Sequence, residues 1–342
     1  MHIVKLLKSI YNTRKNCEKS EHRQWMRTED VMNFSSMDYF IAVARERSFT
    51  KAAEQLHITQ QSLSAHIAAL EQELGCKLLV RHVPLELTYG GEVFLRYAAG
   101  FQQDMNAMRQ EFCDITENQK GVLRVGVAFT RGHVIMPDLI TEFQKKYPNI
   151  SVELAEASNE GLHRNLLNGE IDVAIANFPE SLQGVEQQDF YREEVVLFIA
   201  CSLLKELYGE GADAAVERIA AGEMNLLKNC PFVLNDSADI AGKIGRFAVE
   251  QANLRPVIKA KAANIETLLS LCVKGTGACF CPENLARATL SKAELAALYR
   301  IRLGGYAEYP IRFGYLKQPY QWSIIEEFMK TARMFYAERR EG

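Results

Sequence analysis

Hydrophobic positions near the start of the chain recur at helical spacing. Tyr39, Phe40 and Val43 share one helical face, Ala52, Ala53 and Leu56 mark the inner side of a second helix, and Leu63, Ile67 and Leu70 form the buried stripe of a third. Ser48 and Thr50 both suit the N-cap of the second helix and Thr59 that of the third, because a hydroxyl accepts from an amide left unpaired in the first turn. Gly75 stops the third helix. Its polar residues Gln60, Gln61, Ser62, Ser64 and His66 face away from the stripe. Glutamine offers a donor and an acceptor together to an adenine edge, while serine and histidine suit single base or phosphate contacts. Two helices crossing over small alanines, with a turn at His57-Ile58, have the layout of a DNA-reading helix-turn-helix.

Residues 78–88 read as a two-stranded wing carrying Arg81. From Phe94 a new stripe of Tyr97, Phe101, Met105, Met108, Phe112 and Ile115 continues at spacings of three or four, the pattern of a helix that pairs with a second copy of itself. After residue 118 the period switches to strands at 122–128, 151–157 and 171–176, alternating with helices at 136–147 and 162–168. Alternation of this kind argues for a parallel sheet with crossovers. Residues 185–204 read as two more strands, and the alanine-rich segment 203–224 as a surface helical insertion. A second α/β unit follows, with strands at 232–234, 257–262, 278–281, 299–303 and 311–317, helices at 241–251 and 265–273, and a closing helix at 323–337.

The run Ser48-Phe-Thr50 with Ala52-Ala53, the Gln60-x-x-Leu63-Ser64 of the third helix, Glu73-Leu-Gly75, Arg81 and Leu87-Thr-Tyr-Gly-Gly91 resembles the DNA-binding domain of LysR-type transcriptional regulators. The resemblance extends to residues 121–337. It implies an all-α winged helix-turn-helix and an effector domain of two Rossmann-like α/β subdomains, akin to type II periplasmic binding proteins, joined by a long linker helix. The expected divisions are an extension at 1–31, a DNA-binding domain at 32–90, a linker helix at 91–118 and an effector domain at 119–337. Subdomain I takes in about 121–198 and 305–337, and subdomain II about 199–304. The implied partners are double-stranded DNA, a small-molecule effector, further copies of the chain as homodimer or homotetramer, and RNA polymerase as a candidate. Gln61 stands where many members have proline, and Ala65 where many have a basic residue. Losing that cation removes one phosphate or guanine contact.

With 342 residues the chain has room for two or three domains. A formal charge of -3 does not announce nucleic-acid binding, so any basic footprint is local. The longest apolar candidate, residues 195–204, is too short for a membrane span, and no secretory leader is apparent, which points to the cytoplasm. The eight cysteines show no zinc-ligand spacing, and most read as buried thiols. Neither a catalytic cluster nor a cofactor loop is recognisable. His133 and His163 are isolated, and Gly275 and Gly277 serve turns better than phosphates.

Open α/β sheets bind ligands beyond the carboxyl ends of their strands, beside helix N-termini. Thr130, Arg131 and Gly132 follow the first strand, Asn177 the third, Asn235 and Ser237 the first strand of the second unit, and Asn264 with Ile265 opens a helix. The resemblance places the effector cleft among these turns. Arg131 adds a cation, which favours a carboxylate-bearing effector. Each residue has a plainer alternative: Arg131 as a surface cation, Asn177 and Asn235 as turn caps, Thr267 as an ordinary helix residue. Two other readings stay open, a cysteine-based redox sensor drawing on Cys201 with Cys230 or on Cys279 with Cys281, and a small-molecule receptor without DNA function.

Overall fold

The computed structural model describes residues 33–82, 84–116, 120–235, 240–318 and 320–341. The extension expected at 1–31 lies outside them. The chain divides into two compact units, one ending at Asn106 and one beginning at Ala107.

In the first unit, α1 (Phe34–Glu46), α2 (Phe49–Gln55) and α3 (Gln60–Glu73) start at residues whose side chains accept first-turn amides. Asn33 accepts from Ser36 at 2.9 Å, Ser48 from Lys51 at 3.4 Å and Thr59 from Ser62 at 3.1 Å. Between α2 and α3 the chain reverses through His57, whose φ of 54° is left-handed, a conformation costing a non-glycine residue roughly 1–2 kcal/mol. Buried Ala52 and Ala53 let the helices close over Phe40, Val43, Leu63, Ile67 and Leu70. The wing pairs β1 (Leu79–Val80) with β2 (Glu86–Leu87), antiparallel. It leads into α4 (Tyr89–Ile115). A Cβ on Gly91 would stand 2.1 Å from the Leu78 carbonyl oxygen, so no side chain fits there without moving backbone. The Thr88 hydroxyl donates to the Lys77 carbonyl at 2.6 Å and accepts from the Gly91 amide at 3.0 Å, locking the start of α4 to the wing.

The second unit contains two sheets that share one strand. Strands β3 (Gly121–Val127), β4 (Ile150–Glu156) and β5 (Val173–Ala176) alternate with α5 (Phe129–Lys146) and α6 (Asn159–Leu167). The sixteen-residue β6 (Val185–Ala200) follows. Next come α7 (Cys201–Tyr208), α8 (Ala212–Ala220), β7 (Pro231–Asn235), α9 (Ile240–Gln251), β8 (Val257–Ala262), α10 (Ile265–Val273) and β9 (Cys279–Pro282). The chain finishes with α11 (Glu283–Thr289), α12 (Lys292–Ala296), β10 (Leu298–Arg302), β11 (Glu308–Leu316) and α13 (Ser323–Glu341). The first sheet has the order β4-β3-β5-β11-β6. In the second, β6 lies between β9 and β10, and β7 reaches β9 through the Phe232–Ala278 bridge and pairs with β8 on its other side.

Register along β6 locates the crossing. Glu194 still faces Glu308 of β11, whereas Val195 faces Pro282 of β9 and Val196 faces Arg302 of β10. The chain therefore changes sheet at Glu194–Val195, not after residue 198, and returns between β10 and β11. These two crossings join subdomain I to subdomain II.

Several expectations need correction. Residues 185–200 form one continuous strand instead of two, although its halves hydrogen-bond in different sheets. Helix α5 begins at Phe129 and not at 136, running through Pro137 although proline removes one i→i−4 hydrogen bond. Segment 203–224 is no surface insertion, since Leu203, Leu204, Ala212, Ala215 and Ile219 are buried. Helices α11 and α12 were not foreseen.

Candidate functional site

The exposed end of α3 presents Gln60, Gln61 and Ser62, the residues that follow its Thr59 cap. Beside them Arg81 of the wing is held by three groups. Its Nη1 donates to the Ser64 hydroxyl at 3.4 Å, its Nη2 lies 3.6 Å from Glu71 Oε2, and its guanidinium sits over the Phe49 ring at 5.4 Å. The cation is still 43% exposed, so it is oriented without being used up. Ser64 is engaged by Arg81, and His66 leans edge-on against Tyr39 at 5.1 Å while staying exposed. Ser48 and Thr59 serve as caps. The surface this makes is polar, with an exposed cation at its edge, which suits a groove of duplex DNA.

Glu71 ties this face together from behind. Its side chain is buried, accepting from the Leu78 and Leu79 amides at 3.0 and 3.3 Å and from Lys77 Nζ at 2.7 Å. Burial opposes its charge, but the Lys77 hydrogen bond and the two amides outweigh that and hold its pKa below the usual carboxylate value. A depressed carboxylate stabilises the fold above its unfolded pKa, and that stability is lost as pH falls through the folded value. Thermal unfolding of the DNA-binding unit is therefore expected to drop as pH is lowered through the carboxylate range. Glu71→Gln should flatten that dependence and cost about 1–3 kcal/mol at neutral pH. An unchanged pH profile in the variant would contradict this role.

In the second unit the strand-end turns hold most of the residues expected there. Thr130, Arg131 and Gly132 lie in the first turns of α5. Asn264 caps α10, accepting from Thr267 at 3.0 Å, and Ile265 is buried behind it. The two helix starts face each other across the subdomains, because His133 Nε2 lies 3.7 Å from Glu266 Oε1. Asn177 donates to the Pro310 carbonyl at 2.9 Å, a structural contact, and Asn235 is buried at the end of β7. Ser237 falls outside the described residues.

Arg131 is not the available cation expected. Its Nε and Nη2 donate to Glu193 Oε1 and Oε2 at 2.9 and 2.8 Å, with side-chain exposures of 4% and 0%. Tyr191 donates to Glu193 at 2.9 Å, Asn284 at 3.3 Å, and Tyr309 as well. Burial works against charge on both members. The mutual attraction, with the hydrogen bonds, reverses this, holding Glu193 below and Arg131 above its ordinary range. Glu193 lies on β6 and Tyr309 on β11, each beside a crossing, and Asn284 on α11, so the cluster sits where the two subdomains join. Beside it opens a cavity of about 1050 Å³ with walls from both subdomains, including His133, Glu266, Asn284, Arg287 and Arg302. None of the expected effector residues is among its described lining. Sequence reading missed these groups, since only the fold brings α5, α10, α11 and β10 together.

Residues 116–333 match the family model described as LysR substrate binding domain. Residues 34–92 match the one described as bacterial regulatory helix-turn-helix protein, lysR family. The chain belongs to the LysR family of transcriptional regulators. Among its relatives, the uncharacterized HTH-type transcriptional regulator YcgK of Bacillus subtilis (strain 168) is 26% identical over 310 residues, 88% of this chain and 94% of that protein. In fold it is similar to the crystal structure of full-length CbnR complexed with its target DNA, with 23% identity, TM-score 0.55, and coverage of 89% of this chain and 99% of that one. Full-length OxyR from Pseudomonas aeruginosa shares the fold at 20% identity and TM-score 0.65, covering 89% and 95%.

Two further features of this LysR chain concern the end of α4 and the cysteines. The Asp114 carboxylate, near the end of α4, accepts from the Ser323 amide at 3.0 Å and the Ser323 hydroxyl at 2.7 Å, and from the Tyr320 hydroxyl. Gln110 donates to Asp172 at 3.2 Å, and Asp172 also accepts from the Arg124 amide at 2.8 Å. The last turns of α4 are thus fastened to subdomain I. Four of the described cysteines, Cys230, Cys272, Cys279 and Cys281, are buried, while Cys76 is exposed and Cys113 and Cys201 are half-buried. Cys272 hydrogen-bonds to the buried Cys279 and, with burial, pushes its thiol up, and burial pushes Cys230 up to about 12. Low-pKa, accessible thiolates are what redox sensors use.

Proposed function

We propose that this LysR-type regulator reads DNA with α3, acts as a homodimer or homotetramer paired along α4, and is switched by a small organic effector held between its two α/β subdomains. The observation that carries the DNA reading is the set of exposed glutamines at the start of α3 beside the braced Arg81. In support of pairing, α4 leaves Tyr97, Phe101, Met108, Phe112 and Ile115 between 46% and 67% exposed, a continuous apolar stripe that a lone helix does not keep in water. A DNA-reading role places its action in the cytoplasm, with RNA polymerase as a further partner.

An effector acts by binding two arrangements of the assembly with different affinity. The crossings at Glu194–Val195 and between β10 and β11 are where such arrangements differ, and the Asp114 clamp carries subdomain I to the end of α4. Arg131 no longer supports a carboxylate at the cleft mouth. The test is a mobility-shift assay with DNA from upstream of its own gene and the divergent neighbour. Binding is expected to be selective and to weaken steeply with salt. Gln60→Ala with Gln61→Ala should remove selectivity, at about 1–3 kcal/mol per lost bidentate contact. Equal retention of specific and unrelated DNA would contradict the reading.

A further inference from the structure

A second cavity, of about 540 Å³, lies wholly within subdomain II, between α9 and the ends of β7 and β8. Its volume falls in the range of small-molecule sites. Leu234, Val249, Ile258 and Phe280 supply an apolar lining, while Arg246 and Lys261 bring two cations and no carboxylate appears among the described lining residues. Lys261 has no ion-pair partner among the described residues. At one wall α9 approaches the sheet through glycine: a Cβ on Gly245 would come within 2.4 Å of the Phe280 ring. The helix therefore rests on Phe280 at that point, with open space alongside.

We infer that this cavity binds the apolar body of a small monocarboxylate, with its anionic head toward Lys261. An apolar pocket with a few convergent polar groups fixes a ligand's orientation through those groups. A carboxylate drawn into it needs a paired cation to offset lost hydration, and the pocket supplies what the buried Arg131 cannot. The inference rests on the effector reading of this half, and sets the ligand within subdomain II alone instead of between the two subdomains. Asn235, expected among the effector residues, lines this pocket.

The test is calorimetric titration of the full chain with 3-phenylpropanoate and its neutral amide. The acid is expected to bind and the amide to bind at least about tenfold more weakly, the loss of a charge-assisted contact. Lys261→Gln should weaken the acid by about five- to tenfold through the same contact. Val249→Trp should abolish binding by filling the cavity, and Ile258→Trp, at a half-exposed position, does the same from the rim if the first variant fails to fold. No binding by the wild-type chain, equal binding of acid and amide, or binding that survives both tryptophan variants would overturn the inference. Binding that survives them but is lost in His133→Trp, a change in the wall of the larger cavity, would assign the ligand to the cleft, leaving the effector reading intact. Loss of the effector reading would instead show as ligand binding, in this pocket or the cleft, that leaves DNA affinity unchanged.

Discussion

Arg131→Met is expected to destabilise the effector half by roughly 3–5 kcal/mol, the usual cost of breaking a buried ion pair from one side. The substitution removes a guanidinium that is almost wholly buried and leaves the Glu193 carboxylate, also buried, with Tyr191, Tyr309 and Asn284 as its remaining donors among the described residues. An uncompensated buried charge is the penalty, more than the loss of the pair's own attraction. Because the pair joins α5 to a crossing strand, the loss also loosens the join between the two subdomains. Urea unfolding of the full chain, followed through buried Trp322 in a Trp25→Phe background, should show the shift. Adding Glu193→Leu to Arg131→Met should recover much of it, since an apolar pair removes the stranded charge. An unfolding curve that does not move, with only ligand affinity reduced, would return Arg131 to the effector contact expected from sequence.

The second large effect is expected from Phe101→Glu. Phe101 is 50% exposed on the α4 stripe, so a charge there leaves the fold of one chain largely untouched while desolvation and like-charge opposition act across a paired seam. Light scattering should show a shift toward the single chain. DNA affinity should fall by about 10²–10⁴-fold, because the second half-site contact ceases to be intramolecular. A variant that keeps both its assembly and its affinity would move the pairing surface elsewhere.

The N-terminal unit was legible because its signals are local. Thr59 and Ser48 announce their helices by hydroxyls that accept amides three residues on, and the Leu63, Ile67 and Leu70 stripe fixes which side of α3 is buried. The parallel strands were legible as short apolar runs between helices. What stayed hidden depends on distant pairing. The fate of Arg131 is decided by Glu193, sixty-two positions away, which no local pattern records. β6 reads differently along its length because residues 186–190 are exposed or half-buried while residues 195–200 are continuously buried. The buried side of α8 is written in alanines, too small to register as a stripe. One missed helix carried a readable signal, the reciprocal Ser291 and Glu294 capping box that starts α12.

Hydroxyl-radical footprinting of the full chain on its upstream DNA tests the central claim most directly. Two protected half-sites on one face of the duplex are predicted, separated by a whole number of turns of about 10 bp, with protection lost in Gln60→Ala, Gln61→Ala and retained, more weakly, in Arg81→Ala. Protection that is uniform along the duplex, or that persists when both glutamines are gone, would contradict it.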